Sequence, residues 1–210
     1  MTPLDPDYDC PDCPRLVAFR NRYRQEEPDW FNGPVPSFGD INGALLIVGL
    51  APGLRGANRT SRPFTGDYAG DLLYQTLGEF GFAKGHYDKR PDDGLTLHNV
   101  LITNAVRCVP PENKPIGAEI NTCRPYLTNT IAAMTDLKVI LTLGKIAHDT
   151  TVRMLGYKLK DIPFGHGNAA RLDNGLTLVD SYHCSRYNTN TGRLTEDMFR
   201  SVFQKIRDIL

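Results

Sequence analysis

An α/β fold with a mostly parallel sheet covered on both faces by helices is predicted by three observations. The chain holds four continuous apolar runs, the signature of strands buried on both faces. Segments with helical spacing alternate with those runs, which is the βαβ pattern. Three of the runs end in loops rich in glycine, asparagine or histidine, at the strand ends where such sheets collect functional groups.

Taken in order, residues 14–25 read as a basic helix after Cys13, followed by a Pro/Gly-bearing loop from Pro28 to Gly43. Residues 44–50 (ALLIVGL) form the first strand. After a glycine-rich loop, Asp67–Phe80 spaces its apolar residues like a helix with Asp67 near its start. Residues 83–96 are a polar, glycine-containing insertion. Leu97–Val106 is the second strand and Ile116–Met134 a helix after Pro115. Lys138–Leu143 is the third strand, Lys145–Leu155 a helix, Leu176–Ser181 the fourth strand, and residues 195–210 a closing helix with Thr195 as N-cap.

The 210 residues suit one medium domain with a sizeable core, and 40% hydrophobic with 23% charged residues is ordinary for a globular protein. No stretch approaches the ~18 apolar residues of a membrane span, and no signal-peptide pattern is present. Together with an odd count of five cysteines, this predicts a reducing, cytoplasmic setting without a disulfide scaffold. Lys plus Arg and Asp plus Glu are 24 each. Net charge therefore does not advertise nucleic-acid binding, which needs a local basic surface. Arginines 15, 20, 22 and 24, and 55, 59 and 62, provide two such clusters.

Cys10-x2-Cys13, Cys108 and Cys123 form a ligand set, gathered around one soft metal centre if the fold brings them together. Spacing alone leaves buried thiols, a structural zinc and an iron–sulfur centre open. In the first strand-end loop, Gly49 to Asp67, glycines free backbone N–H groups and permit close approach, while Phe64 offers a ring for stacking a flat ligand or anchoring the core. This loop is neither a Walker nor a dinucleotide motif. In the second, Asn104 ends an apolar run and presents a donor and an acceptor on one fork, suited to an amide-like base edge. The third, from Ser181 to Gly192, places His183 just past a strand, where it can reach the crevice of Asn104 and Phe64.

Together GLAPGLRGANRTSRPFTGD, ITNAVRC and HCSRYNTNTGRLT resemble the uracil-DNA glycosylase superfamily, specifically its family 5 (type b), from Cys10 to the end. The resemblance implies a three-layer α/β/α sandwich with a central four-stranded parallel sheet, as a single domain over 1–210. Its N-terminal segment, about 8–43, would be tied to the core by a [4Fe–4S] cluster on Cys10, Cys13, Cys108 and Cys123. It also implies hydrolytic removal of uracil, and of other deaminated bases such as hypoxanthine, leaving an abasic site in base excision repair. His183 is then expected to stabilise the departing base, and Asp67 to act on the sugar or water, to cap the helix it begins, or both. Gly49, Leu50, Ala51, Gly53, Phe64 and Asn104 would bind the base, while Arg59, Ser185, Arg186, Tyr187 and Asn188 face DNA, with Tyr187 as the wedge and Arg186 as its alternative. A monomer acting on DNA, away from membranes, is expected.

The chain departs from wider superfamily patterns in two ways. Cys184 follows the motif histidine where many members have proline. Leu50 and Ala51 are apolar, so no general base comes from those positions. Gly53 replaces the bulky aromatic of the most uracil-specific relatives, which implies a roomier pocket. The competing readings are a non-catalytic or covalently trapped uracil-DNA-binding iron–sulfur protein. The trapped type needs a histidine between Ala51 and Phe64, and none is there.

Overall fold

The computed structural model describes residues 4–210. The helices are α1 (Pro14–Glu26), α2 (Ala57–Thr60), α3 (Tyr68–Glu79), α4 (Gly117–Ala133), α5 (Lys145–Met154), α6 (Arg186–Asn190) and α7 (Glu196–Ile209). The strands are β1 (Phe38–Gly39), β2 (Leu45–Gly49), β3 (Ala83–Lys84), β4 (Thr96–Leu97), β5 (Val100–Asn104), β6 (Val139–Leu143), β7 (Ala169–Arg171) and β8 (Thr177–Ser181). Among these residues no helix is long and apolar enough to cross a membrane.

The main sheet runs β1-β5-β2-β6-β8-β7. Its four central strands are parallel and wholly buried, matching the four apolar runs. Alternate side chains serve opposite faces, as strand geometry requires. Leu45, Ile47, Ile102, Leu141 and Val179 pack with α3 and α7 residues such as Leu73 and Phe203. Leu46, Val48, Leu101, Ile140 and Leu178 pack with α4 and α5 residues such as Leu127 and Val152. That gives the three layers.

The sheet has six strands rather than the expected four, because β1 and β7 add antiparallel edges of two and three residues. Neither edge is long enough to show an alternating pattern. The expected strand 97–106 is shorter at both ends. Leu97 pairs with Ala83 in the small β3–β4 ladder, and Asn99 at φ +59° separates it from β5. Thr195 caps α7 as expected, its side chain accepting from the Met198 amide.

Candidate active site

Parallel register brings the carboxyl ends of the central strands to one edge: Gly49 pairs with Asn104, and Leu143 with Ser181. The three loops leaving β2, β5 and β8 enclose a cleft of about 680 Å³. Leu50, Gly53, Phe64, Asp67, Asn104 and His183 all line it. Residues separated by more than a hundred positions thus meet because one sheet edge collects them.

Glycine lets these groups approach the backbone closely. A Cβ on Gly49 would collide with Asn104 Oδ1 and stand 2.8 Å from the Phe64 ring. One on Gly53 would stand 3.0 Å from Asp67 Oδ2, and one on Gly56 would collide with that oxygen. The wall of the cleft is therefore bare backbone against which the Asn104 amide and the Asp67 carboxylate lie.

Phe64 is buried with a left-handed backbone, φ +53°, strained for a bulky residue by roughly 1–3 kcal/mol. Its ring stands 5.9 Å from the His183 ring, tilted by 31°. Asn104 is also buried, at the end of β5. His183 sits two residues past β8, and Asn188 Nδ2 donates to its carbonyl at 2.8 Å. Burial lowers the His183 pKa to about 4, so its imidazole is neutral near pH 7. The Cys184 thiol beside it donates to the Ala69 carbonyl at 3.4 Å, linking this loop to the head of α3.

Asp67 occupies the N-cap position of α3, yet its side chain makes no capping hydrogen bond. Its Oδ1 is buried without a partner among the described residues. Burial raises the carboxyl pKa above its ordinary value, opposed by the Gly70 and Ala69 amides and reinforced by Asp71. The Asp67 carboxylate therefore lies at the head of α3, beside the Ala69 and Gly70 amides, and also lines the cleft.

The outer residues divide. Ser185 and Arg186 line the cleft mouth, and the Arg186 guanidinium lies 5.3 Å from the Tyr68 ring centroid. Tyr187 is 73% exposed. Ser185 caps α6 by accepting from the Asn188 amide. Asn188 is turned inward onto His183, and Arg59 faces a neighbouring groove with Trp30 and Lys89. Arg55, Tyr68 and Asn113 also line the cleft and were not singled out for it from the sequence.

Cys10, Cys13, Cys108 and Cys123 line a second cavity between α1 and α4. Ala51 joins the two sites, lining the cleft while packing against this cysteine group. Arg20, 2% exposed, donates to Cys108 Sγ at 3.7 Å and to the Cys10 carbonyl, and its Nε has no hydrogen-bond partner among the described residues. The Arg107 amide donates to Cys123 Sγ at 3.3 Å. Burial pushes the Cys108 and Cys123 thiols up to about 12 and about 11. Among the described residues no three His, Cys, Asp or Glu side chains converge on a single-ion position. Four soft donors around a shared cavity, with a buried guanidinium to offset negative charge, fit an iron–sulfur cluster.

The model of the Uracil DNA glycosylase superfamily matches residues 36–207. The type-5 uracil-DNA glycosylase of Thermus thermophilus is 42% identical over 204 residues, covering 94% of this chain and 92% of that protein. The type-5 enzyme of Mycobacterium bovis is 39% identical over 209 residues, covering 95% and 78%. That of Pyrobaculum aerophilum is 36% identical over 200 residues, covering 93% and 87%. A family match spanning both walls of the cleft, with type-5 relatives aligned over nearly the whole chain, places this chain in the uracil-DNA glycosylase superfamily, on its type-5 branch.

Proposed function

We propose that this protein is a monofunctional uracil-DNA glycosylase that initiates base excision repair. The observation that carries the reading is the meeting of Phe64, Asn104, Asp67 and His183 in one cleft at the sheet edge. A glycosidic bond inside the base stack is inaccessible, so the target nucleotide must leave the duplex, at a cost of a few kcal/mol. Tyr187, exposed on α6 beside the cleft mouth, is the side chain that enters the vacated space, with Arg186 next to it.

The extruded base stacks on Phe64, and its hydrogen-bonding edge meets the Asn104 amide, which offers both a donor and an acceptor. As the C–N bond breaks, its electron pair leaves with the base and positive charge develops on the sugar. The neutral His183 imidazole donates a hydrogen bond to the base oxygen where negative charge collects. Asp67 faces the sugar, where an ionised carboxylate stabilises the cation and orients the water that adds to it. Leu50, Ala51 and Gly53 shape the apolar wall, and the small Gly53 leaves room for a larger base such as hypoxanthine.

Cys10, Cys13, Cys108 and Cys123 would hold a [4Fe–4S] cluster, which supplies a cross-link between α1 and the strand-end loops. Anaerobically purified protein is expected to be brown and to contain about four irons per chain. Stoichiometric zinc without iron would overturn the assignment.

A single-turnover assay on a duplex carrying one uracil tests the activity. An abasic product is expected. Retention of the duplex without product would make the protein a binding module, and a covalent adduct would make it the trapped type. A parallel hypoxanthine duplex tests the breadth of the pocket.

A further inference from the structure

The segment between α3 and β5 supplies no group to the chemistry above, yet it sends two side chains beneath the Phe64 loop. Asp93 grips the Arg62 guanidinium with both oxygens, at 2.8 and 2.7 Å, and the two side chains are 1% and 4% exposed. The Asp88 and Leu95 amides donate to the same carboxylate, at 2.9 and 3.1 Å. Arg62 in turn donates from Nε to Thr65 Oγ1 at 2.8 Å, and its guanidinium carbon stands 5.1–5.7 Å from the ring centroids of Phe38, Tyr74 and Tyr87. Tyr87 donates its hydroxyl to the Phe64 carbonyl at 3.1 Å and accepts from the Gly66 amide at 3.4 Å. Gly70 leaves room for this, since a Cβ there would collide with both the Phe64 carbonyl and the Tyr87 hydroxyl.

The Phe64 carbonyl and the Gly66 amide just after it are thus tied to the Tyr87 side chain, at the residue whose left-handed conformation must be imposed by its surroundings. We propose that Tyr87 and Asp93 are positioning residues for base recognition, holding the Phe64 backbone in its strained conformation so that the ring stays where the base stacks. This rests on the base-stacking role of Phe64 given above. A mere structural staple would use the same bonds, but it would not couple to recognition through Phe64.

Tyr87→Phe deletes the hydroxyl and keeps the ring packed on Tyr74, whose centroid is 4.6 Å away. Losing such a bond predicts a roughly three- to tenfold rise in the DNA concentration giving half-maximal single-turnover excision. Inhibition by free uracil should weaken by a similar factor, with affinity for an abasic duplex unchanged. Asp93→Asn, which keeps the side-chain volume, should show the same pattern. The decisive arm is a double-mutant cycle: in a Phe64→Ala background, Tyr87→Phe should have no further effect on excision. If Phe64→Ala excises like wild type, the stacking role itself is wrong. If Phe64→Ala is impaired while Tyr87→Phe is not, or the two losses multiply, Tyr87 does not act through Phe64 and the positioning role is overturned. A fall in melting temperature with unchanged uracil inhibition would equally reduce Tyr87 to a staple.

Discussion

The two walls of the cleft are each backed by a buried ion pair, but the pairs differ in kind. Behind the Phe64 wall, Arg62 and Asp93 form a bidentate bond in an aromatic cage. Behind the His183 wall, His148 Nδ1 meets Asp180 Oδ1 at 2.7 Å, and Nε2 meets the Ile162 carbonyl at 2.9 Å. Thr142 and the Gly165 amide complete the Asp180 shell. Both ring nitrogens of His148 face acceptors, so the doubly protonated imidazolium satisfies them best. The loop it holds carries Phe164 and His166, whose rings lie 6.1 and 5.0 Å from Tyr182, the neighbour of His183. Arginine keeps its charge at any working pH; histidine does not. One wall is therefore fixed, and the other depends on a proton.

The largest expected effect comes from breaking the fixed wall. Asp93→Ala leaves the Arg62 guanidinium buried and unpaired, which should cost about 3–5 kcal/mol of stability in a denaturant titration. The Arg62 hydrogen bond holds the Asp93 carboxyl well below the usual carboxylate range. Its contribution is therefore present above the ordinary Asp value and is lost only in strong acid.

Next come the two groups proposed above to face the reacting atoms, His183 and Asp67. His183→Ala should slow single-turnover excision by ~10²–10³ without a comparable change in stability, the scale for losing one oxyanion donor. Asp67→Asn should also lower excision while leaving the melting temperature nearly unchanged, because asparagine removes the charge but keeps a side chain able to cap α3. Retained activity in Asp67→Asn would leave His183 and base binding as the main sources of catalysis.

The smallest effect separates the two walls by pH. Burial pulls the His148 pKa down, but the Asp180 carboxylate, the Ile162 carbonyl and Asp149 lift it above its ordinary value. The stability it adds is fully present below the unfolded value of about 6.5 and is lost as pH rises through the raised folded value. Melting temperature should therefore fall along this alkaline limb in the wild type, and His148→Gln should flatten it. An unchanged slope in His148→Gln would assign the limb to another group.

How much of this was legible follows from range. The four central strands could be read because burial on both faces makes them continuously apolar, and the edges could not because two or three residues carry no pattern. Gly49, Phe64, Asn104 and His183 could be placed together since sheet topology sends strand ends to one side. The supports beneath them could not be read. Asp93 and Asp180 are charged residues that look like surface until their partners, Arg62 and His148, are seen 31 and 32 positions away. Asp67 illustrates the limit of local reading: it sits where a cap belongs, and only the fold shows that its carboxylate also lines the cleft. Arg20 looked like part of a basic helix face, whereas the fold turns it inward onto Cys108.

The central claim is that residues from three strand-end loops hold one extruded base in the cleft. A crystal structure with a duplex bearing a non-cleavable uracil nucleotide tests it most directly. The account predicts the uracil flipped out and stacked on Phe64, its edge on Asn104, one carbonyl oxygen on His183 and Asp67 beneath the sugar. A base left in the duplex, or bound away from Phe64 and Asn104, would contradict it.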